Sequence, residues 1–255
     1  MQTKRILHTV PGPASVKNMI EPNEDVICVI CARGGSKGLA RKNVRRLDGE
    51  PLVARPIRQA LESGVCGTVL VTTEDEEIAS IARQAGAQVP FLRPAELARD
   101  LSTTEDTLRH ALITYEAMLG RQFQIAVFLT PTDVFRDPKW IRQAVEMLRA
   151  RPGLESVFSG HRTHKNFWER QEDGSWVRLR PWMAAYSSRQ VRRSVIREDT
   201  GLACASRAWL WREGRRIGDR VEVIVNDDDF TSIDIHDESD LALAEAALRI
   251  RAIRT

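Results

Sequence analysis

Long hydrophobic runs are missing from this sequence of 255 residues. A helix that crosses a bilayer needs about 20 consecutive apolar residues, and no run here approaches that length. The first 25 residues also lack the apolar segment of a signal peptide. We therefore expect no membrane-spanning segment, no membrane partner and a cytoplasmic location.

Cysteine is also scarce: the chain has four cysteines, at positions 28, 31, 66 and 204. Cys28 and Cys31 have the CxxC spacing that occurs in zinc and redox sites. They sit in an apolar run, however, and no second pair follows. The sequence therefore favours reduced core thiols in a cytoplasmic protein over a metal or redox site.

Neither sign of charge dominates. The chain has 38 Lys and Arg against 35 Asp and Glu, a formal net charge of +3. A nucleic-acid-binding domain would need a clustered basic stripe and a recognition motif, so we expect no nucleic-acid partner. The hydrophobic share of 42% is normal for a globular protein with a full core. Local basic clusters suit an anionic small molecule better.

One such cluster follows an apolar run at residues 26–31, which predicts a buried strand. Three glycines come next, and they let a backbone approach a ligand closely. Five cations surround these glycines and could meet phosphate groups: Arg33, Lys37, Arg41, Lys42 and Arg45. The layout predicts a phosphate-binding loop rather than a solvated turn, although the patterns GxxxxGK[ST] and GxGxxG are both absent.

Strands and helices alternate along most of the chain. Apolar and β-branched runs predict strands at residues 26–31, 68–73, 88–92, 124–129, 155–159, 221–225 and 232–235, and residues 200–206 return to the sheet. Periodicity and capping residues predict helices at residues 52–63 (opened by Pro51), 75–84, 104–119, 137–150 and 237–251. The alternation predicts parallel pairing, with ligands bound at the carboxyl ends of the strands. Residues 1–24 are predicted to be a loosely ordered extension.

Residues 160–199 interrupt this alternation. Aromatic residues stand there among many arginines, and no helical period is visible. The pattern predicts an inserted hairpin subdomain, and aromatic residues with arginine are typical of protein interfaces.

Four stretches carry a resemblance to a known family. They are ARGGSKGLARKN (residues 32–43), RPAELARD (93–100), LTPTDVFR (129–136) and SIDIHDESDL (232–241). In this order they resemble motifs of the acylneuraminate cytidylyltransferases (CMP-sialic acid synthetases), over roughly residues 25–250. The resemblance implies a Rossmann-like, mostly parallel sheet of the nucleotide-diphospho-sugar transferase type. Helices would cover both faces, and the insert would be a small dimerisation subdomain of a homodimer.

The resemblance also implies an enzyme that transfers CMP from CTP to a 2-keto-3-deoxy sugar acid. The matching motif positions imply these nucleotide-binding residues: Ala32, Arg33, Gly34, Gly35, Ser36, Lys37, Lys42, Asn43 and Arg93. Catalytic roles would fall to Arg33, Lys37 and Asp234. Two alternatives stay open, because Arg93 could pair with Glu96 and Arg41 could be a solvated cation.

The sequence departs from the family at the acceptor and metal motifs. Where the family reads Gln-Pro-Thr-Ser, this chain has Thr130 and Asp133 in place of Gln and Ser. We expect acceptor contacts from Thr130, Thr132, Asp133 and Arg189. The family's Asp-Ile-Asp metal motif here reads Asp234-Ile-His236.

We expect Mg²⁺ at Asp234 and His236, with Mn²⁺ as the alternative ion, because Mg²⁺ prefers oxygen ligands and imidazole suits softer ions. Otherwise His236 is a helix-start residue without chemistry. The departures leave two other functions open: transfer to a different acid, such as another ulosonate or a phosphonate, and nucleotide binding without catalysis.

Overall fold

The structure is a computed structural model that describes residues 23–99, 101–185, 188 and 190–254. Residues 1–22 of the predicted extension lie outside the described residues, as do Asp100 and the predicted acceptor-binding Arg189. Within the described ranges, no helix is long and apolar enough to cross a membrane.

Eleven strands and six α-helices occur in the part of the chain that the structure describes. The strands are β1 (Val26–Cys31), β2 (Arg46–Leu47), β3 (Glu50–Pro51), β4 (Thr68–Thr72), β5 (Ile125–Leu129), β6 (Ser156–Thr163), β7 (Trp168–Arg170), β8 (Trp176–Arg178), β9 (Val195–Glu198), β10 (Cys204–Arg207) and β11 (Val221–Asn226). The helices are α1 (Ala54–Ser63), α2 (Glu76–Gln84), α3 (Thr104–Leu119), α4 (Pro138–Ala150), α5 (Ala208–Arg212) and α6 (Glu238–Arg254).

The central sheet has the strand order β11-β6-β10-β5-β1-β4. Strands β4, β1 and β5 pair in parallel, and so do β6 and β11. Strand β10 runs antiparallel between β5 and β6, and β9 also pairs antiparallel with β6. The prediction of a mostly parallel sheet is confirmed.

Helices cover both faces of the sheet, as predicted. Because successive side chains of a strand point to opposite faces, Cys28 and Ile30 of β1 pack toward α1, α2 and α4, whereas Ile27 and Val29 pack toward α3 and α5. This double cover explains why β1 is apolar at every position. It also sends Cys28 and Cys31 to opposite sides of the sheet.

The cysteines are thiols, and no disulfide is found among the described residues. Burial raises the pKa of the Cys31 thiol, and that of Cys204, to about 12. Protonated, buried thiols fit the expectation of core cysteines.

Helix starts follow the capping residues that the sequence offers. Asp75 accepts a hydrogen bond from the Ile78 amide at 3.0 Å and begins α2, and Thr103 does the same for α3. The prediction that Pro51 opens α1 is wrong, because Glu50–Pro51 pairs with Arg46–Leu47 in a small ribbon and the helix begins at Ala54.

Two predicted strands are also wrong. In the stretch 88–92 only Gln88 forms a bridge, with Leu70, and Pro90 has no amide hydrogen to continue the pairing. In the stretch 232–235 the chain leaves a 3-10 helix (Asp229–Ser232), and only Asp234 forms a bridge, with Asp133. Within the described residues, neither segment pairs with a continuous neighbouring strand.

The insert is built partly from the sheet itself. Strand β6 continues to Thr163, four residues beyond its predicted end, and β9 pairs with this extension. Beyond it, β7 and β8 form an antiparallel hairpin. Its tryptophans are exposed, Trp176 by 61%, and the Arg178 guanidinium lies 4.1 Å above the Trp168 ring.

Candidate functional site

The glycine loop lies where β1, β4 and β5 end, as expected for a parallel sheet. A cavity of about 470 Å³ opens there. It is lined by residues of the loop, of the stretch 93–107 and of the turn after β5, and by one residue of the metal motif. The sequence-predicted residues among them are Arg33, Ser36, Lys37, Lys42, Asn43, Arg93, Thr130, Thr132 and His236.

Packing beneath the loop explains two of its three glycines, Gly34 and Gly38. A Cβ atom at Gly34 would lie 2.5 Å from the Asp75 carboxylate, and one at Gly38 would lie 2.6 Å from the His236 carbonyl oxygen. The Gly34 amide donates to Glu74 Oε1 at 2.7 Å. This amide is therefore engaged by a side chain of the protein.

The far end of the loop is tied to its start and to the metal motif. The buried Asn43 donates from Nδ2 to the Arg33 carbonyl oxygen at 2.8 Å. Lys42 donates from Nζ to the Ile235 carbonyl oxygen at 2.9 Å. Burial lowers the pKa of Lys42, while the nearby Asp234 acts in the opposite direction. Loop and metal motif thus form one wall.

Arg93 reaches this wall from the next segment of the chain. Its side chain is buried, with 5% exposure for the residue, and its guanidinium pairs with Glu74 Oε2 at 2.6 Å. The alternative partner Glu96 is therefore wrong. The buried Nε of Arg93 has no hydrogen-bond partner among the described residues.

Arg41 lies outside the cavity lining. Its guanidinium is exposed and pairs with Asp75 and Glu77 at the start of α2, which fits the alternative of a solvated cation. The hydrogen bond from Arg41 is the main cause that lowers the pKa of Asp75. Arg41 also adopts a left-handed backbone conformation, with a φ of 55°.

The turn after β5 is held by an arginine that the sequence analysis did not single out. The buried Arg136 donates to the carbonyl oxygens of Thr130 at 2.8 Å and Gly201 at 2.6 Å. It also donates to Gln59 Oε1 at 2.6 Å. Burial lowers its pKa to about 10. Arg136 therefore fixes the turn that carries Thr130, Thr132 and Asp133.

A second cavity, of about 450 Å³, adjoins the first and shares Thr130 with it. Asp133 and Asp234 line it, together with Arg197 and Asp199. Burial is the main cause that raises the pKa of Asp133, and repulsion from Asp234 adds to it. Thr130 Oγ1 donates to Asp133 Oδ2 and partly offsets this effect.

The predicted metal position holds oxygen donors that fit a hard cation. Asp234 Oδ1 is buried without a hydrogen-bond partner in the described structure, and Oδ2 lies 3.0 Å from His236 Nε2. His236 is 71% exposed. No cluster of three or more His, Cys, Asp and Glu side chains arranged for metal binding occurs among the described residues. A magnesium ion would therefore complete its shell with ligand oxygens and water.

Some predicted residues do not line the first cavity. Ala32 is buried behind the strand end, Gly34 faces Glu74 and Asp75, and Gly35 is likewise absent from the lining. Asp133 and Asp234 line the second cavity instead. Glu74 is a site residue that the sequence analysis did not single out, because it stands directly before the predicted helix at residues 75–84. Its position at the carboxyl end of β4, beside the glycine loop, was the available signal.

Comparisons with known proteins agree with this geometry. The family profile described as cytidylyltransferase matches residues 27–207. The chain is 43% identical over 122 residues to CMP-N,N'-diacetyllegionaminic acid synthase of Legionella pneumophila, covering 48% of this chain and 52% of that protein. It is 37% identical over 140 residues to N-acylneuraminate cytidylyltransferase of Escherichia coli, covering 55% of this chain and 32% of that protein. The matches thus span about half or less of these relatives.

Solved structures show the same fold at low identity. A CMP:2-keto-3-deoxy-manno-octonic acid synthetase complexed with CTP superimposes with a TM-score of 0.63 and 15% identity, covering 89% of this chain and 99% of that chain. A cytidylyltransferase from Leptospira borgpetersenii gives a TM-score of 0.59 and 16% identity, covering 89% and 87%. At this identity the likeness concerns the fold alone.

Proposed function

Because this chain belongs to the cytidylyltransferase family, we propose that it is an enzyme that transfers CMP from CTP to a 2-keto-3-deoxy sugar acid and releases pyrophosphate. The observation that carries the proposal is the cavity at the strand ends, where a glycine loop and several cations lie together. The names of the relatives from Legionella and E. coli support an acceptor of the sialic-acid type.

The cations of the cavity suit the triphosphate. Arg33, Lys37 and Lys42 supply positive charge on one wall, and Ser36 and Asn43 add hydrogen-bonding groups. Charged donors that meet the phosphate oxygens stabilise the negative charge that moves onto the leaving pyrophosphate. Arg93 would contact the base or a phosphate through its remaining donors.

In this reaction the anomeric hydroxyl oxygen of the acceptor attacks the α-phosphorus of CTP. The bond from that phosphorus to the bridging oxygen breaks, pyrophosphate leaves, and the proton of the attacking hydroxyl passes to solvent. Holding both substrates in line is a large part of such catalysis. The second cavity, with Arg197, Thr130 and Asp133 in its wall, suits the acidic acceptor because it adjoins the first.

The donor set supports a requirement for Mg²⁺, with Mn²⁺ as the alternative. Such an ion offsets the charge of the triphosphate and of the leaving pyrophosphate. Asp234 and Asp133 would hold it, since both line one cavity and Asp234 Oδ1 is buried without a protein partner in the described part of the chain. Exposed His236 would orient Asp234 or a metal-bound water.

We also propose a homodimer that uses the insert. Its exposed tryptophans and its basic residues support an interface. A cavity of about 430 Å³ on the β6 extension is lined by Arg162, His164, Lys165 and Arg192 among others. In the dimer these side chains would lie near the partner's acceptor site, where Arg162, Lys165 and Arg192 supply positive charge. We also propose a cytoplasmic location for the enzyme, which is consistent with CTP and a sugar acid as its substrates.

Pyrophosphate release tests the function. The protein is incubated with CTP, Mg²⁺ and one acid from a panel of 2-keto-3-deoxy sugar acids, other ulosonates and phosphonates, with UTP and ATP as nucleotide controls. We expect release with CTP and one sugar acid only. Release with a phosphonate alone would assign a different acceptor class. Binding of CTP without turnover on any acid would contradict the enzyme assignment and support a nucleotide-binding protein.

A further inference from the structure

We infer that Glu74 is the positioning residue of the nucleotide cavity. Its carboxylate connects the glycine loop to Arg93 and so fixes the position of the loop relative to Arg93 in the cavity. This inference rests on the proposed function, because it takes the cavity to be the CTP site.

Two hydrogen bonds of one carboxylate define the geometry. Glu74 Oε1 accepts from the Gly34 amide at 2.7 Å, and Oε2 accepts from an Arg93 NH2 group at 2.6 Å. The two partners are 40 and 19 residues away in sequence. A single side chain therefore connects three segments of the chain at the carboxyl end of β4.

The carboxylate of the next residue, Asp75, holds the other end of the loop. Asp75 begins α2 through the Ile78 amide and pairs with Arg41. Gly34, at the loop's start, is held by Glu74, and Arg41, near its end, is held by Asp75. The junction between β4 and α2 thus contacts the glycine loop near both of its ends.

The negative charge of Glu74 stabilises the buried guanidinium of Arg93. A buried guanidinium without a partner carries a large desolvation cost, which a carboxylate at hydrogen-bond distance offsets. With one NH2 group held by Glu74, the guanidinium plane is fixed. Arg93 lines the cavity, so its remaining guanidinium donors can meet a ligand oxygen there. Loss of the carboxylate would release Arg93 and the loop start together.

Glu74→Gln is the test variant, because it keeps the shape and removes the charge. Its amide oxygen can still accept from one donor, but its NH2 group cannot accept from the other. We expect the Kd for CTP, measured by calorimetry without acceptor, to rise about tenfold or more. The KM for CTP should rise by the same factor, while kcat at saturating CTP stays within about threefold.

Glu76→Gln is the matched control, since Glu76 is an exposed carboxylate of α2 whose nearest cation, Arg83, is 4.0 Å away. It should bind CTP like the parent. In a double-mutant cycle, Glu74→Gln and Arg93→Ala should be strongly non-additive, because both remove one contact. Additive effects, or tighter CTP binding in Glu74→Gln, would overturn the inference.

Hydrogen exchange separates this inference from the proposed function, since it needs no nucleotide. The Gly34 amide should exchange faster in Glu74→Gln than in the parent and in Glu76→Gln, at equal melting temperature. If the parent binds no CTP, the proposed function fails together with the CTP-positioning role. If the parent binds CTP and Glu74→Gln matches it in affinity and exchange, the inference alone fails.

Discussion

Asp133 and Asp234 lie directly opposite each other across an isolated antiparallel bridge. Side chains at directly opposed positions point to the same side, with Cβ atoms about 5 Å apart, and both residues line the second cavity. Two carboxylates this close repel each other, which contributes to the raised pKa of Asp133. The two neighbouring carboxylates therefore destabilise the fold when no cation is bound, and they stabilise a cation that binds between them.

The first prediction concerns stability without a metal. A raised pKa means that folded Asp133 keeps its proton at pH values where the unfolded chain has lost it, so the free energy of unfolding falls as pH rises through this window. Asp133→Asn cannot ionise, and its amide oxygen can still accept from Thr130. In EDTA the variant should have a higher melting temperature than the parent at pH 7, and urea titrations from pH 4 to 8 should show a flatter dependence.

With Mg²⁺ instead of EDTA, the parent should have a higher melting temperature than Asp133→Asn. The ion stabilises only a protein that binds it, so the parent's melting temperature should rise with Mg²⁺ while that of Asp133→Asn changes little. Asp48→Asn is the control, because Asp48 is exposed and its left-handed backbone suits Asn. If Asp133→Asn is destabilised in EDTA at pH 7, the repulsion argument is wrong.

The second prediction concerns the metal motif. Asp234→Ala should abolish turnover, because it removes the carboxylate whose Oδ1 is buried without a protein partner in the described structure. His236→Asp should keep activity with Mg²⁺ and tighten its apparent binding, since it adds an oxygen donor. The parent should show a relative preference for Mn²⁺, which accepts imidazole more readily.

Initial rates are titrated against each ion for both proteins, and Mn²⁺ binding is followed separately by electron paramagnetic resonance. If the Mg²⁺ and Mn²⁺ curves of the parent coincide and His236→Asp shifts neither, His236 does not act at the metal. It then lies only two residues before the start of α6, where its amide donates to Asp240 Oδ2 at 2.8 Å.

The buried strands could be predicted from sequence because their pattern is local: β1 is apolar at every position, since helices cover both faces. The stretches 88–92 and 232–235 were wrongly predicted as strands, because a strand also needs a continuous neighbour and sequence spacing does not reveal one. The same limit applies within the site. The loop cations follow from their motif, whereas Arg136 becomes important only through Gly201, 65 residues away.

The third prediction concerns assembly. We expect a homodimer by light scattering at micromolar concentration, formed through the insert. Replacing Trp168 and Trp176 by Ser should shift the protein toward the monomer, because both rings are exposed on the β7–β8 hairpin. Trp209→Ser, an exposed ring on α5, is the control and should leave the dimer intact. A parent that is monomeric and fully active would contradict the prediction.

The last prediction concerns the glycine loop. Arg33 and Lys37 line the cavity at the carboxyl end of β1, where they would meet the triphosphate. Arg33→Ala and Lys37→Ala should each lower kcat/KM for CTP by about 100-fold or more, as expected when a charge-assisted contact to the transition state is lost. The defect should appear largely in kcat, since charge on the leaving pyrophosphate grows during the reaction.

Lys139→Ala and Arg46→Ala are matched controls, because both cations are exposed and lie outside the cavity lining. Each should keep the parent's kcat/KM at the same ionic strength, which excludes a general effect of net charge on CTP attraction. The far-ultraviolet circular dichroism and melting temperatures of the loop variants should match the parent. Near-normal activity of both loop variants would remove the loop from the mechanism, and the triphosphate would then have to lie elsewhere along the strand ends.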